Sequence, residues 1–221
     1  MKTLLLAFTA LFSIVNPLSG AFIFFGATQG VDDRGRAQLS RWVAIYAFAL
    51  VTASLYVGAY VLEFFGISIP VLKVAGGIVI AMSGWRMLTG PDATEQRRTE
   101  TTSGLKDTAS ARKLAFYPLT MPLTTGPGTI SVAISVGAQR PEGFGPRWLS
   151  FVGETVLAVA LLCLAVYILY RNSARIAQAI GATGTTIVVR LSAFLLFAIG
   201  IQVLWNGAAQ LLETVGRQVA S

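Results

Sequence analysis

Six long apolar runs, at roughly residues 4–28, 42–65, 67–89, 114–139, 148–170 and 191–212, are separated by polar stretches that hold almost all of the charge. A helix crossing a hydrocarbon core of ~30 Å needs about 20 mostly apolar residues, so each run predicts a transmembrane helix. Only Gly66 and a few neighbours part the second run from the third. Ser68-Ile69-Pro70 supplies the turn there, because the residue before a proline avoids the helical region and proline suits a first helical turn. The first run starts like a signal peptide, with Lys2, an apolar stretch over 4–15 and small Ser19-Gly20-Ala21. Phe22-Ile23-Phe24-Phe25 carries it well past any cleavage site, which predicts a retained helix.

Two of the six runs are interrupted in their middles. One break is Asn16-Pro17-Leu18-Ser19-Gly20, inside an uncharged stretch over 3–31. The other is Pro118-Leu119-Thr120-Met121-Pro122-Leu123-Thr124-Thr125-Gly126-Pro127-Gly128, inside an uncharged stretch over 114–139. Lipid offers no hydrogen bonds to a broken backbone, so such breaks persist at membrane depth only against protein or a wet cavity.

Composition sharpens this picture. Charged residues make up 12% of the 221 residues and hydrophobic ones 54%, against about 25% charged in a soluble domain. The chain reads as an integral membrane protein without room for a separate soluble domain. The net charge of +7 is scattered over short loops with no basic stripe interleaved with aromatics, so it points to membrane orientation rather than nucleic acid. With six spans, twelve Lys/Arg fall on one side (Arg34, Arg36, Arg41, Arg86, Arg97, Arg98, Lys106, Arg112, Lys113, Arg171, Arg175, Arg190). Five fall on the other (Lys2, Lys73, Arg140, Arg147, Arg217). The positive-inside rule puts the twelve in the cytoplasm and both termini outside. Trp42 and Trp148 stand at expected helix starts, where amphipathic rings favour the interface. Cys163 is the only cysteine and there is no histidine, so an internal disulfide, a zinc-type metal site, a histidine relay and Ser-His catalysis are all excluded.

Residues 91–113 are the only long polar stretch and read as a flexible cytoplasmic linker. It divides the chain into three helices over 1–90 and three over 114–221. An odd number of spans per half makes the second half enter from the opposite face. The expected fold is therefore an all-α membrane protein, six transmembrane helices forming two inverted three-helix repeats. An offset of 117 aligns the third helix with the sixth, matching Lys73 to Arg190, Ala81 to Ala198, Met87 to Leu204 and Gly90 to Gly207. The first and fourth helices match best near 105, with Pro17 against Pro122.

Each break lies about 12 residues, or 18 Å, into its helix. Paired breaks in corresponding helices are the sequence pointer to a transporter's binding centre. Pro17 and Gly20 interrupt one helix. In the other, Pro127 suits the first position of a new helix, with Thr125 or Gly126 as its cap. Two half-helix N-termini would present free N–H groups to a carboxylate. Ser19, Thr124, Thr125 and Thr129 add hydroxyls and Asn16 an amide, and Gly128 completes the candidate site as part of the second break. The alternative is that proline and glycine merely kink the helices for packing.

Glu154, six residues past Trp148, reads either as a proton-coupling group in a cavity or as an interfacial acid near Arg147. Glu63 and Lys73 flank the tight turn and either pair or reach headgroups. Gln202 and Asn206 suit hydrogen bonds to a neighbouring helix. Ser54-x-x-x-Gly58, Gly77-x-x-x-Ala81, Ser131-x-x-x-Ser135 and Ala133-x-x-x-Gly137 give small faces that serve internal packing or a homo-oligomer. Cys163 reads as a small buried residue.

The Asn16–Gly20 segment, Phe65-Gly66-Ile67-Ser68-Ile69-Pro70 with Ala75-Gly76-Gly77, Met87-Leu88, and the block from Pro118 through Gly126-Pro127-Gly128-Thr129-Ile130 together resemble the MarC family of bacterial inner-membrane proteins. The resemblance covers essentially the whole chain and implies a multi-pass protein of the inner membrane. Some relatives are described as transporters of small neutral amino acids such as alanine, glycine or serine, which fits a carboxylate at paired helix N-termini. The expectation is a secondary transporter whose partners are a small-molecule substrate and the lipid bilayer, with no nucleic acid, cofactor or metal. No Walker-type phosphate loop or nucleophile–base constellation occurs, so neither ATP drive nor enzyme chemistry is read. The alternatives are an exporter of amphipathic drugs or metabolites and a non-transporting membrane assembly or regulatory protein.

Overall fold

The computed structural model describes residues 2–28, 30–89, 112–141, 143 and 145–219. These residues form α1 (Lys2–Val15), α2 (Pro17–Ala27), α3 (Asp33–Phe64), α4 (Ile69–Thr89), a widely wound segment α5 (Ala115–Thr124), α6 (Pro127–Gly137), α7 (Pro146–Arg171) and α8 (Ser173–Val219). The protein is all-α. Five stretches are long and apolar enough to cross a membrane: Lys2–Ala27, which joins α1 to α2, then α3, α4, α7, and Thr183–Thr214 of α8. The fourth expected span, 114–139, is not a single helix. Its prolines divide it into α5 and the 11-residue α6, neither of which reaches the length that ~30 Å requires. Most of the expected linker, residues 91–111, lies outside the described residues, and Arg112-Lys113 already begin the helical run into α5.

Helix ends follow local chemistry. Asp32 caps α3 by accepting from the Gly35 N–H at 2.9 Å. The turn after Phe64 is closed by Gly66 at φ 68°, a left-handed conformation suited to glycine. Gly181 (φ 77°, ψ 172°) breaks α8 and separates Ser173–Ile180 from the long apolar part.

Contacts between helix ends fix the direction of each pass. At one face Glu154 meets Leu4, Arg140 lies over Tyr60, and Lys73 reaches Gln210. At the other face Arg112 lies over Trp42, and Arg190 donates to the Leu88 carbonyl. The second is called the basic face below, and the first the N-terminal face. Lys73 thus pairs with Gln210 rather than Glu63. Gln202 and Asn206 bond each other along α8 at 2.9 Å instead of reaching another helix.

The closest packing joins α4 to the apolar part of α8. A Cβ on Gly77 would strike the backbone of Leu204 and Gly200, and one on Gly200 would strike Ala81. A Cβ on Gly84 would strike the backbone of Phe197 and Ala193, and one on Gly207 would strike Val74 and Pro70. Gly77 and Gly200 are 123 positions apart, as are Gly84 and Gly207. The contacts made from α4 recur in reverse from α8 at that same offset, six residues away from the 117 suggested by sequence. Small residues do the same elsewhere: Gly58 packs on Ile134, Gly137 on the Leu55 carbonyl, and Gly76 on Ser131. The small faces are thus used within the chain, letting backbones approach closely. The remaining helices pack α3 on α5, α6 and α7, α1 and α2 on α7, α6 on α1 and α4, and α2 on α8.

Candidate site at two helix breaks

The first break is built by neighbouring residues. Pro17 has no N–H and its ring collides with a preceding helical turn, so α1 cannot continue through it. Asn16 absorbs the change by entering the left-handed region (φ 44°, ψ 65°), the only non-glycine residue to do so among those described. Asparagine tolerates that region better than most side chains. Its Oδ1 accepts from the Ser19 N–H at 3.3 Å and its carbonyl accepts from the Gly20 N–H at 3.0 Å. The α2 N-terminus is thereby capped from within. The Asn16 Nδ2 donates to the Ser192 carbonyl at 3.5 Å, which ties the break to α8.

The second break is spread over ten residues. Pro118 and Pro122 each remove a backbone donor, and the chain leaves helical geometry at Tyr117 (φ −130°, ψ 125°) and Met121 (φ −103°, ψ 125°). Hydroxyls add bonds to carbonyls five residues back. Thr120 Oγ1 donates to the Ala115 carbonyl at 2.6 Å and Thr124 Oγ1 to the Leu119 carbonyl at 2.8 Å. The Thr125 N–H reaches the Thr120 carbonyl at 2.8 Å. Each bond spans five residues, which widens the coil. The helix restarts with Gly126 as cap (φ −85°, ψ 177°) and Pro127 at the first position. Glycine brings no side chain to cap α6, and the first helical bond runs from the Ile130 N–H to the Gly126 carbonyl at 3.1 Å. The Gly128 and Thr129 N–H groups precede it, where a helix has no internal partners.

The 14 residues of α1 place Asn16 about 21 Å from the N-terminal face, and the 11 residues of α6 place Gly126 about 16 Å from it. Both breaks therefore lie deep along their helices rather than at that face.

One side chain joins them. Tyr170, at the end of α7, is fully buried, and its hydroxyl lies 3.0 Å from Thr124 Oγ1. The same hydroxyl sits against Gly20, leaving no room for a Cβ there. Its ring stacks on Phe24 with centroids 4.7 Å apart. A helical side chain slants back toward the helix N-terminus, so a residue near the basic face reaches the level of Gly20 and Thr124. Gly20, Thr124 and, through its cap, Asn16 are thus brought into one neighbourhood.

The other expected residues divide. Ser19 and Thr125 are buried, and neither hydroxyl has a hydrogen-bond partner. Most helical hydroxyls here bond a carbonyl one turn back, as Thr28, Ser54 and Ser83 do, and an orphaned buried hydroxyl costs about 1–3 kcal/mol. Thr52 on α3 and Ser173 at the start of α8 are orphaned likewise. Pro17 and Thr129 are buried, and Gly128 packs on Ile80. Pro127 is exposed and is not drawn toward Tyr170. Glu154 is elsewhere: it accepts from the Leu4 N–H at 3.0 Å, at the start of α1. With Thr3, Ala7, Ala10, Arg147 and Phe151 it lines a cavity of about 630 Å³ at the N-terminal face.

Two residues were not singled out by sequence. Tyr170 carried no local signal beyond its place at a helix end. Arg36 counted only as a loop charge, yet it is buried. Its Nη2 donates to the Val31 carbonyl at 3.0 Å and the Thr28 carbonyl at 3.4 Å, and its Nη1 pairs with Asp33 at 3.0 Å. It closes the C-terminal end of α2, where orphan carbonyls favour a cation. Among the described residues no group of His, Cys, Asp and Glu is arranged to hold a metal ion.

Comparison with known proteins gives one consistent answer. The family described as MarC family integral membrane protein matches residues 1–212. The chain is 34% identical to the inner membrane protein MarC of Citrobacter koseri over 217 residues, and 32% identical to those of Salmonella paratyphi A over 216 residues and Escherichia coli over 221. Each comparison covers 96% of this chain and 97% of the relative. No solved structure matches.

Proposed function

The chain belongs to the MarC family of integral membrane proteins of the bacterial inner membrane, and on that premise we propose that it is a secondary transporter of small polar or zwitterionic metabolites, foremost neutral amino acids. The observation that carries the reading is the uncapped N-terminus of α6 beside the orphaned Thr125 hydroxyl, within one neighbourhood of the first break. Gly128 and Thr129 N–H groups and the positive end of α6 receive the substrate carboxylate. The Ser19 and Thr125 hydroxyls bond the rest of the solute, since each both donates and accepts.

Two inverted repeats, 1–90 and 114–221, are part of the proposal. The reciprocal glycine contacts at offset 123 support them. So does the equal length of α2 and α6, each 11 residues with proline at its first position, 110 positions apart. Alternating access follows by rocking one repeat on the other about a centre they share. Both termini lie outside the cytoplasm in this reading, by the basic-loop count.

The test is uptake of labelled alanine, glycine and serine by liposomes holding the purified protein. Saturable uptake, lost in Gly126→Asn, is expected; silent vesicles across a broad amino-acid panel would overturn the proposal. One observation favours a second reading, a membrane assembly protein without cargo: Tyr170 already fills the space between Gly20 and Thr124. Silent vesicles made from folded protein would select it.

A further inference from the structure

We propose that Tyr170 is the gate that closes the central site toward the basic face, and that the cavity beside α1 is the way in from the N-terminal face. This rests on the two breaks forming a binding centre. Tyr170 stands on the basic side of that centre, because α2 runs from Asn16 toward Thr28 and Arg36, and the Tyr170 ring stacks on Phe24 halfway along it. Its hydroxyl is held at both breaks at once, by Thr124 Oγ1 at 3.0 Å and by contact with Gly20. The two orphaned hydroxyls belong to Ser19 and Thr125, the chain neighbours of Gly20 and Thr124. The ring thus lies on the basic side of a level at which buried hydroxyls are left without partners.

The opposite side is built differently. The cavity of about 630 Å³ follows α1 from Thr3 past Ala7 to Ala10, with Val136 of α6 and Phe151 of α7 forming its other walls. Ala10 lies six residues above Asn16, about 9 Å along the helix. Its α1 wall is Thr3, Leu6, Ala7 and Ala10, with aliphatic Leu11, Ile14 and Val15 between it and Asn16, whereas the basic side of the centre is filled by a stacked pair of aromatic rings. The bond to Thr124 is the latch. Breaking it and turning the Tyr170 side chain to another rotamer moves the ring out from under Gly20 and opens the path to the basic face. Gly20 is required because any Cβ there would hold the ring off its latch.

The experiment reads access to the centre from each face. Thr125→Cys, in a Cys163→Ala background, is placed in the full-length protein in sealed vesicles of both orientations and treated with a membrane-impermeant maleimide. With Tyr170 present, labelling from the basic face should be slow. Tyr170→Ala should raise it by more than about ten-fold, and Tyr170→Phe, which keeps the ring but loses one hydrogen bond, by about five-fold. Labelling from the N-terminal face should change little in either variant. Ser19→Cys serves as a second reporter should Thr125→Cys fold poorly, and an unchanged melting temperature excludes general unfolding. Equal labelling from the basic face with and without Tyr170 in folded protein would overturn the gate. If uptake of amino acids is absent but labelling changes as described, the gate stands and the transport reading falls.

Discussion

The two helix breaks have the same outline and opposite chemistry. Both restart a helix of 11 residues with proline at its first position. At the first, Asn16 supplies its own cap, folds its side chain onto the Ser19 N–H and anchors to Ser192. At the second, Gly126 supplies nothing, and the donors ahead of Ile130 are left open beside an orphaned hydroxyl. A break that caps itself is a finished piece of structure. A break that leaves its donors open has bonds to offer. In the proposed reading the contrast gives Asn16 a positioning role and the start of α6 the carboxylate, with the Ser19 hydroxyl as the first break's one contact to the solute, a division that the symmetry of the pair alone would not make.

The sharpest way to test that contrast is to copy one break into the other. Gly126→Asn gives the second break the cap of the first, and the backbone at Gly126 is extended and accepts any residue. Stability should change by only a few tenths of a kcal/mol, while uptake falls about ten- to hundred-fold, the worth of one or two charge-assisted hydrogen bonds. Thr125→Val removes the orphaned hydroxyl. Uptake should fall about five-fold, and the melting temperature should hold or rise, because a buried unpaired polar group costs about 1–3 kcal/mol.

Changes at the first break should act on the fold instead. Asn16→Ala removes the cap and places a Cβ-bearing residue without that cap in the left-handed region, a loss of about 1–2 kcal/mol by thermal unfolding. Asn16→Gly should recover part of it, since glycine enters that region freely. Uptake per folded molecule should stay within about two-fold, given that no ligand bond is lost. The smallest effect belongs to Glu154→Gln. The amide oxygen still accepts from the Leu4 N–H and only charge interactions at an exposed face are lost, so stability and uptake should both be nearly unchanged. A large loss of uptake alone would return Glu154 to a coupling role.

Much of this was legible in the sequence, because it is local. Proline without an N–H and glycine without a side chain set both breaks, and Gly126-Pro127 announces the start of α6. The Gly66 turn and the ends of α3 and α7 follow from the same residue chemistry. What was not legible depends on partners distant in the chain. The wide winding of α5 accompanies bonds from the Thr120 and Thr124 hydroxyls to carbonyls five residues back, which a count of apolar residues cannot reveal. The offset of 123 between the paired glycines of α4 and α8 is set by which backbones touch, so the similarity of side chains that suggests 117 does not reveal it. Tyr170 beside Arg171 looks like an ordinary interfacial tyrosine until α2 and α5 are packed around it. Arg36 looks like one more loop cation until Thr28 and Val31 turn their carbonyls toward it.

The central claim is that the open amide end of α6 awaits a carboxylate at the level where the two helices break. Thermal unfolding of the purified protein with alanine, glycine or serine tests it most directly, because a ligand that selects the folded state raises its melting temperature in proportion to occupancy. The account predicts a concentration-dependent rise for the native chain and none for Gly126→Asn. An equal rise in both, or no rise with any of the three, would contradict it.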